Sequence, residues 1–251
     1  MGSSSHPKRN ALVFDIETIA DLTPATREAV TALAKGRDMT AAEYGGLCPP
    51  LARVACIAWL DVTAQTLGAC FDGTLPGGSA SPQSIDVEDD SGGVRSVGRC
   101  ALHACDGEQQ LLRAFGQRVA QHMAQANAQL VTYNGRGFDL PVLVHRGIKH
   151  GVSDGRDVFV KAARENRYHP LLHIDVMDVV TFTGAAPRWP MAAYAIGYGF
   201  KSPKDDMDGA QVWPAVQAGR ILDVVRYCAG DVIATAHIYR CLQETVGTPK
   251  P

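Results

Sequence analysis

The segment ALVFDIET, residues 11–18, sets two carboxylates at the end of an apolar run. Its composition predicts a β-strand over residues 11–16. Side chains alternate across a strand, so Asp15 and Glu17 share one face while Leu12, Phe14 and Ile16 share the other. Two acids this close repel each other and cannot cheaply both stay ionised in a partly buried place. A divalent cation would reverse that penalty. A strand whose end simply reaches solvent would also tolerate the pair, so the motif needs company before it carries chemistry.

Two further segments supply that company. In YNGRGFDLPVL, residues 133–143, a strand, a glycine-bearing turn and a helix place Asp139 in a first helical turn, where the terminal amides favour an anion. Asn134 stands five residues earlier, at the strand's end. The GRG stretch is no dinucleotide fingerprint, because Leu140 occupies the place of its third glycine. In RYCAGDVIAT, residues 226–235, Tyr227 and Asp231 are four apart, so a phenol and a carboxylate stack on one helical face beside the apolar stripe.

The intervening chain reads as a mixed sheet with helices around it. DLTPATREAVTALAKGRDMT, residues 21–40, carries a helical pattern with Thr23 as N-cap and Pro24 at the first helical position. RVACIAWLDV and QTLGACF predict a hairpin turning near Thr63 and Ala64, and VGRCALHAC a further strand. Residues 72–98, dense in Gly, Ser, Pro and acids, read as a mobile loop. A long helix is expected over 106–129, with Leu111, Leu112, Phe115, Val119 and Met123 on one side. LVTYN then predicts a strand and residues 138–151 a helix with Pro141 in its first turn, while LLHIDVMDVVTF is ambiguous between strand and helix. The last helix, 219–245, buries Ile221, Val225, Cys228, Val232, Ala236 and Tyr239.

A chain of 251 residues, 46% hydrophobic, is long enough for one large core. The expected organisation is a flexible leader over 1–10, one domain over 11–246 and a tail over 247–251. The net charge of −2 gives no overall basic field, so any polyanion-binding patch is local. Seven cysteines without a Cys-x-x-Cys pair argue against disulfides or a zinc site and for a reducing cytoplasm. No apolar run approaches the roughly 20 residues of a membrane span. Arg136, Arg146, Lys149, Arg188, Lys201 and Lys204 are candidate phosphate contacts.

In their order, DIE on a strand, NGRGFD entering a helix and YCAGD on a late helix resemble the three motifs of the DEDD superfamily of 3′→5′ exonucleases. The resemblance spans most of residues 11–245. Within the superfamily the pattern is similar to the proofreading domain of family B DNA polymerases and to a stand-alone bacterial group related to it. Position 226 is Arg and position 227 is Tyr, which is the tyrosine type, not the histidine type. The resemblance implies an α/β, RNase H-like fold with a mixed central sheet flanked by helices. It implies that Asp15, Glu17, Asp139 and Asp231 hold two Mg²⁺ or Mn²⁺ ions about 4 Å apart. Tyr227 would orient the attacking water, and Thr18, Asn134 and Phe138 would meet the substrate, with Phe138 packing beneath the site. Asp175 and Asp178 would play structural parts. The implied substrate is single-stranded nucleic acid with a free 3′ end, DNA favoured over RNA. An oligoribonuclease, another nuclease of this fold, or a catalytically silent nucleic-acid-binding module are the alternatives.

Overall fold

The computed structural model of the protein describes residues 9–79, 82–87, 98–200 and 207–246, with 244–246 described by backbone alone. Its strands are β1 (Asn10–Ala20), β2 (Ala52–Asp61), β3 (Thr66–Asp72), β4 (Ser84–Asp86), β5 (Arg99–Cys105), β6 (Ala128–Thr132) and β7 (His173–Asp175). They form one seven-stranded sheet in the order β4-β5-β3-β2-β1-β6-β7. β1, β2 and β3 are antiparallel neighbours, while β6 runs parallel to β1, and β7 and β5 run parallel to β6 and β3. The mixed sheet is the one expected.

The alternation in β1 sorts the core into two layers. Leu12, Phe14 and Ile16 pack with helices α3 (Glu108–Met123), α4 (Asp139–His150) and α5 (Arg156–Arg164). Ala11, Val13 and Ile19 pack on the opposite face with α9 (Ile221–Val246) and the segments before it. All six predicted stripe residues of α9 are buried. Among the described residues, no helix is long and apolar enough to cross a membrane.

Several elements depart from the expectations. β1 does not stop at its acids but continues to Ala20, because a bulge bends it without ending its pairing: Glu17 pairs with Cys56 and Thr18 with Val54, leaving Ala55 of β2 without a partner residue. The helix expected in the middle of 21–40, with Pro24 at its first position, begins only at Arg27, as α1 (Arg27–Ala34), and a second helix, α2 (Ala41–Leu47), follows with a capping box between Thr40 and Glu43. α2 lies so close to β1 that a Cβ on Gly45 would stand 2.7 Å from that of Ala20. The 72–98 segment holds strand β4, which pairs with β5, although residues 80–81 and 88–97 lie outside the described residues. LLHIDVMDVVTF is both strand and helix, β7 followed by α6 (Val176–Val180). β6 ends at Thr132, two residues before its expected end. α5 was not foreseen, nor were α7 (Met191–Gly197) and α8 (Val212–Gln217).

A buried ionic cluster ties the lower layer to β1. Arg146, 1% exposed, bonds Glu108 at 2.8 and 2.5 Å and Asp21 at 2.9 Å, while Lys149 also pairs with Asp21. Glu108 accepts the Val54 N–H at 2.8 Å, beside the bulge. Arg146 and Lys149 are therefore spent on structure, not phosphate. Burial by itself would raise the Asp21 pKa, but hydrogen bonds from Lys149 and Arg146 outweigh it and pull the carboxyl down to about 2.

Removing one member of such a cluster leaves the others buried without a counter-charge. Arg146→Met is expected to cost about 3–5 kcal/mol in urea unfolding at neutral pH. The lowered Asp21 pKa stabilises the fold above the unfolded carboxyl's value near 3.8, and that stability is lost as pH falls through about 2. The advantage of the wild type over Asp21→Asn should shrink over that interval. A constant difference down to pH 2 would contradict it.

Candidate active site

The site arises where paired strands have unequal reach. β6 pairs with β1 only from Asn10 to Val13, so β1 runs on alone on that edge and presents Asp15 and Glu17 beyond the end of β6. The chain leaving β6 turns through Tyr133–Phe138 and re-enters as α4, whose first residue is Asp139. Across the sheet, α9 packs on β1 and β2 and brings Tyr227, Cys228 and Asp231. Three remote segments thus converge on one end of β1.

The turn into Asp139 is held by its backbone. Asp175 Oδ1 accepts the N–H groups of Asn134 at 2.8 Å and Met177 at 3.1 Å, and its Oδ2 that of Arg136 at 3.0 Å. Thr132 Oγ1 accepts the Gly135 N–H at 3.2 Å and shares a hydrogen bond with His173 Nε2 at 2.7 Å. Burial, then the charge of Arg136, lowers the His173 pKa to about 3. Asn134 is left-handed at φ 64°, and Gly135 admits no Cβ, which would lie 2.2 Å from Thr132 Oγ1. Asp175 is thus a positioning residue for the turn, in keeping with its expected structural part.

The electrostatics are those of concentrated, uncompensated acid. Burial, and then the charges of Asp139 and Asp231, push Asp15 well above the usual carboxylate range; the Cys228 thiol, which donates to Asp15 Oδ2 at 3.7 Å, offsets a little of it. Glu17 is raised by burial and then by Asp15. Asp139 rises to about 7, burial first, although backbone hydrogen bonds at Asp139 itself and Ile16 oppose the rise. Asp139 Oδ1 is buried and accepts no hydrogen bond. Burial and then Asp231, Glu17 and Asp15 raise the Tyr227 phenol too, so it stays protonated. A set of hard oxygen donors with an orphaned buried oxygen fits divalent cations.

Donor atoms of Asp15, Glu17 and Cys228 lie within 4.8 Å of one another, a group able to hold a metal ion. Asp139 and Asp231 stand outside that tight group but act electrostatically on Asp15. The sequence reading missed Cys228 as a member, assigning it to the apolar stripe. Its place three residues before Asp231, on the same helical face, was the available signal.

The remaining expectations divide. The Thr18 hydroxyl donates to Gly46 O at 2.7 Å, anchoring α2. Phe138 is half-buried against the core layer that holds Leu12, Phe14 and Ile16. Arg136 binds Asp178 at 3.1 Å and the carbonyls of Ala162, Ala163 and Glu165, closing the end of α5 instead of meeting phosphate. Arg188 is exposed, and Lys201 and Lys204 lie outside the described residues.

Residues 84–248 match the family described as predicted 3′-5′ exonuclease related to the exonuclease domain of PolB. The chain belongs to this family. The matched span contains Asp139, Tyr227 and Asp231 but not Asp15 or Glu17. Among curated proteins no sequence matches the chain. Among solved structures it is similar to the family B DNA polymerase from the hyperthermophilic archaeon Pyrobaculum calidifontis, with a TM-score of 0.57 and 16% identity over 96% of this chain. The chain spans 25% of that polymerase. The likeness is one of fold, consistent with the RNase H-like sheet.

A carboxyl raised from 3.8 to about 7 withdraws stability as pH rises between those values, because the folded form then holds the proton the unfolded chain has lost. In chelator, melting temperature should therefore fall from pH 4 to pH 7. Asp139→Asn should flatten the fall and be the more stable protein above pH 7. An unchanged slope would show that the acid is not strained.

Proposed function

We propose that this protein is a metal-dependent 3′→5′ exonuclease of the tyrosine type, removing nucleotides from the 3′ end of single-stranded nucleic acid, with DNA favoured over RNA. The observation that carries the reading is the meeting of Asp15, Glu17, Asp139 and Asp231 from three elements, with Asp139 Oδ1 buried and accepting no hydrogen bond. A silent binding module would have no reason to keep such mutually repelling acids together. The nuclease unit comprises residues 11–246.

Asp15, Glu17, Asp139 and Asp231 would hold two divalent ions, Mg²⁺ or Mn²⁺. When bound, these supply an activated water and neutralise charge on the departing 3′ oxygen. The chain's own groups do the rest. Tyr227, kept as a phenol, hydrogen-bonds the attacking water and fixes its approach without acting as a base. Asn134, on the turn held by Asp175, meets the terminal nucleotide, with Phe138 as the apolar floor and Thr18 bracing the wall through Gly46. Seven free thiols suit a reducing cytoplasm.

With Mg²⁺ or Mn²⁺, a 5′-labelled single strand should shorten in a ladder while a 3′-labelled one releases its label at once. Asp139→Ala or Asp231→Ala should abolish both. Tyr227→Phe should lower kcat about 10²-fold with little change in KM, since a misplaced nucleophile costs that much. Internal cuts, shortening from the 5′ end alone, or full activity in Asp139→Ala would overturn the proposal.

A further inference from the structure

Behind the turn that carries Asn134 lies a cavity of about 180 Å³, walled by Arg136, Arg167, Tyr168, Asp175, Asp178 and Phe182 among others. Tyr168 is 64% exposed and Phe182 70%, and among the described residues neither ring stacks on another. Phe182 and its neighbour Thr183 both adopt left-handed backbone, at φ 50° and 57°, in a single 3₁₀ turn, and neither residue favours that region. Two strained residues in succession holding a large ring in solvent need a compensating reason.

The polar groups narrow the choice of ligand. Asp175 is saturated by three backbone N–H groups, and Asp178 is engaged by Arg136 at 3.1 Å. Arg167, by contrast, makes among the described residues only a long contact with Asp178, at 3.7 Å, and its side chain is 37% exposed. The cavity therefore offers two aromatic faces and one loosely held guanidinium, with its acids already occupied. Flat rings and a cation adjoining them suit a nucleobase and its phosphate. Asp175 faces both ways, fixing the turn into Asp139 and lining the cavity, so the two places are neighbours.

Resting on the nuclease reading, we infer that this cavity is a second nucleotide subsite, in which a base upstream of the terminal nucleotide of a single strand stacks on Tyr168 and Phe182 while Arg167 meets its phosphate. The subsite makes the protein prefer strands to substrates that carry a single nucleotide. It contributes to holding the strand, not to the chemical step.

The test separates strand from terminus. Thymidine 5′-(p-nitrophenyl phosphate) has no upstream base, whereas oligothymidylate does. Tyr168→Ala and Phe182→Ala should each raise KM for oligothymidylate about 5- to 100-fold, the loss expected for one stacked base. Turnover of the nitrophenyl ester should be unchanged, which also certifies the fold, and Phe182→Trp should restore the low KM. Anisotropy of a fluorescent oligothymidylate in chelator gives a readout independent of catalysis. If the wild type cleaves nothing yet binds the strand, and the alanine variants bind it less, the nuclease reading fails and the subsite stands. Unchanged KM and unchanged binding in both variants would overturn the subsite.

Discussion

The structure turns on carboxylates that cannot easily coexist. Asp15 and Glu17 stand on a strand whose other face is fully packed core, so they cannot swing away, and Asp139 and Asp231 are delivered to the same place by helices fixed in opposite layers. In water the solvent would screen these acids from one another; at the margin of a packed core their repulsion is several-fold stronger. The fold supports that strain with rigidity elsewhere. The Arg146–Glu108–Asp21 cluster fastens α3 and α4 to the sheet, and Asp175 fixes the turn that ends at Asp139.

The bulge opposite Glu17 serves the same end. An extra residue in β2 lets β1 bend while staying paired with β2, so the acids project beyond β6 without the strand fraying. Glu108 accepts the Val54 N–H beside that bulge, and the charge cluster and the site are thereby joined through one peptide group. Stability is spent where geometry must be held, and the strain collects where a cation would relieve it.

Much of this was legible in the chain. The period-two alternation in β1, the hairpin at Thr63 and Ala64 and the six-residue stripe of α9 are local patterns, and the structure reproduces them. The pairing of Asp175 with the Asn134 turn was not legible as a contact, because it joins residues about forty apart through backbone N–H groups, which every sequence possesses. Arg146 looks like a surface cation in sequence; only the arrival of Asp21 and Glu108 from elsewhere makes it internal, while Lys149 pairs with Asp21 from the exposed side. The short helices α2, α5, α7 and α8 escaped notice because a few residues show too little periodicity to separate from loop.

The sequence by itself determined the residue types and their spacings: two acids on one strand face, an acid opening a helix, a phenol and an acid one helical turn apart. Those follow from local backbone geometry, which fixes where side chains on one element point relative to each other. Tertiary structure alone decided that the three elements meet, that Cys228 joins Asp15 and Glu17 within 4.8 Å, and that Tyr168 and Phe182 border a common cavity. Such meetings depend on strand lengths and layer packing, and no local spacing encodes the distance between residues that only the fold brings together.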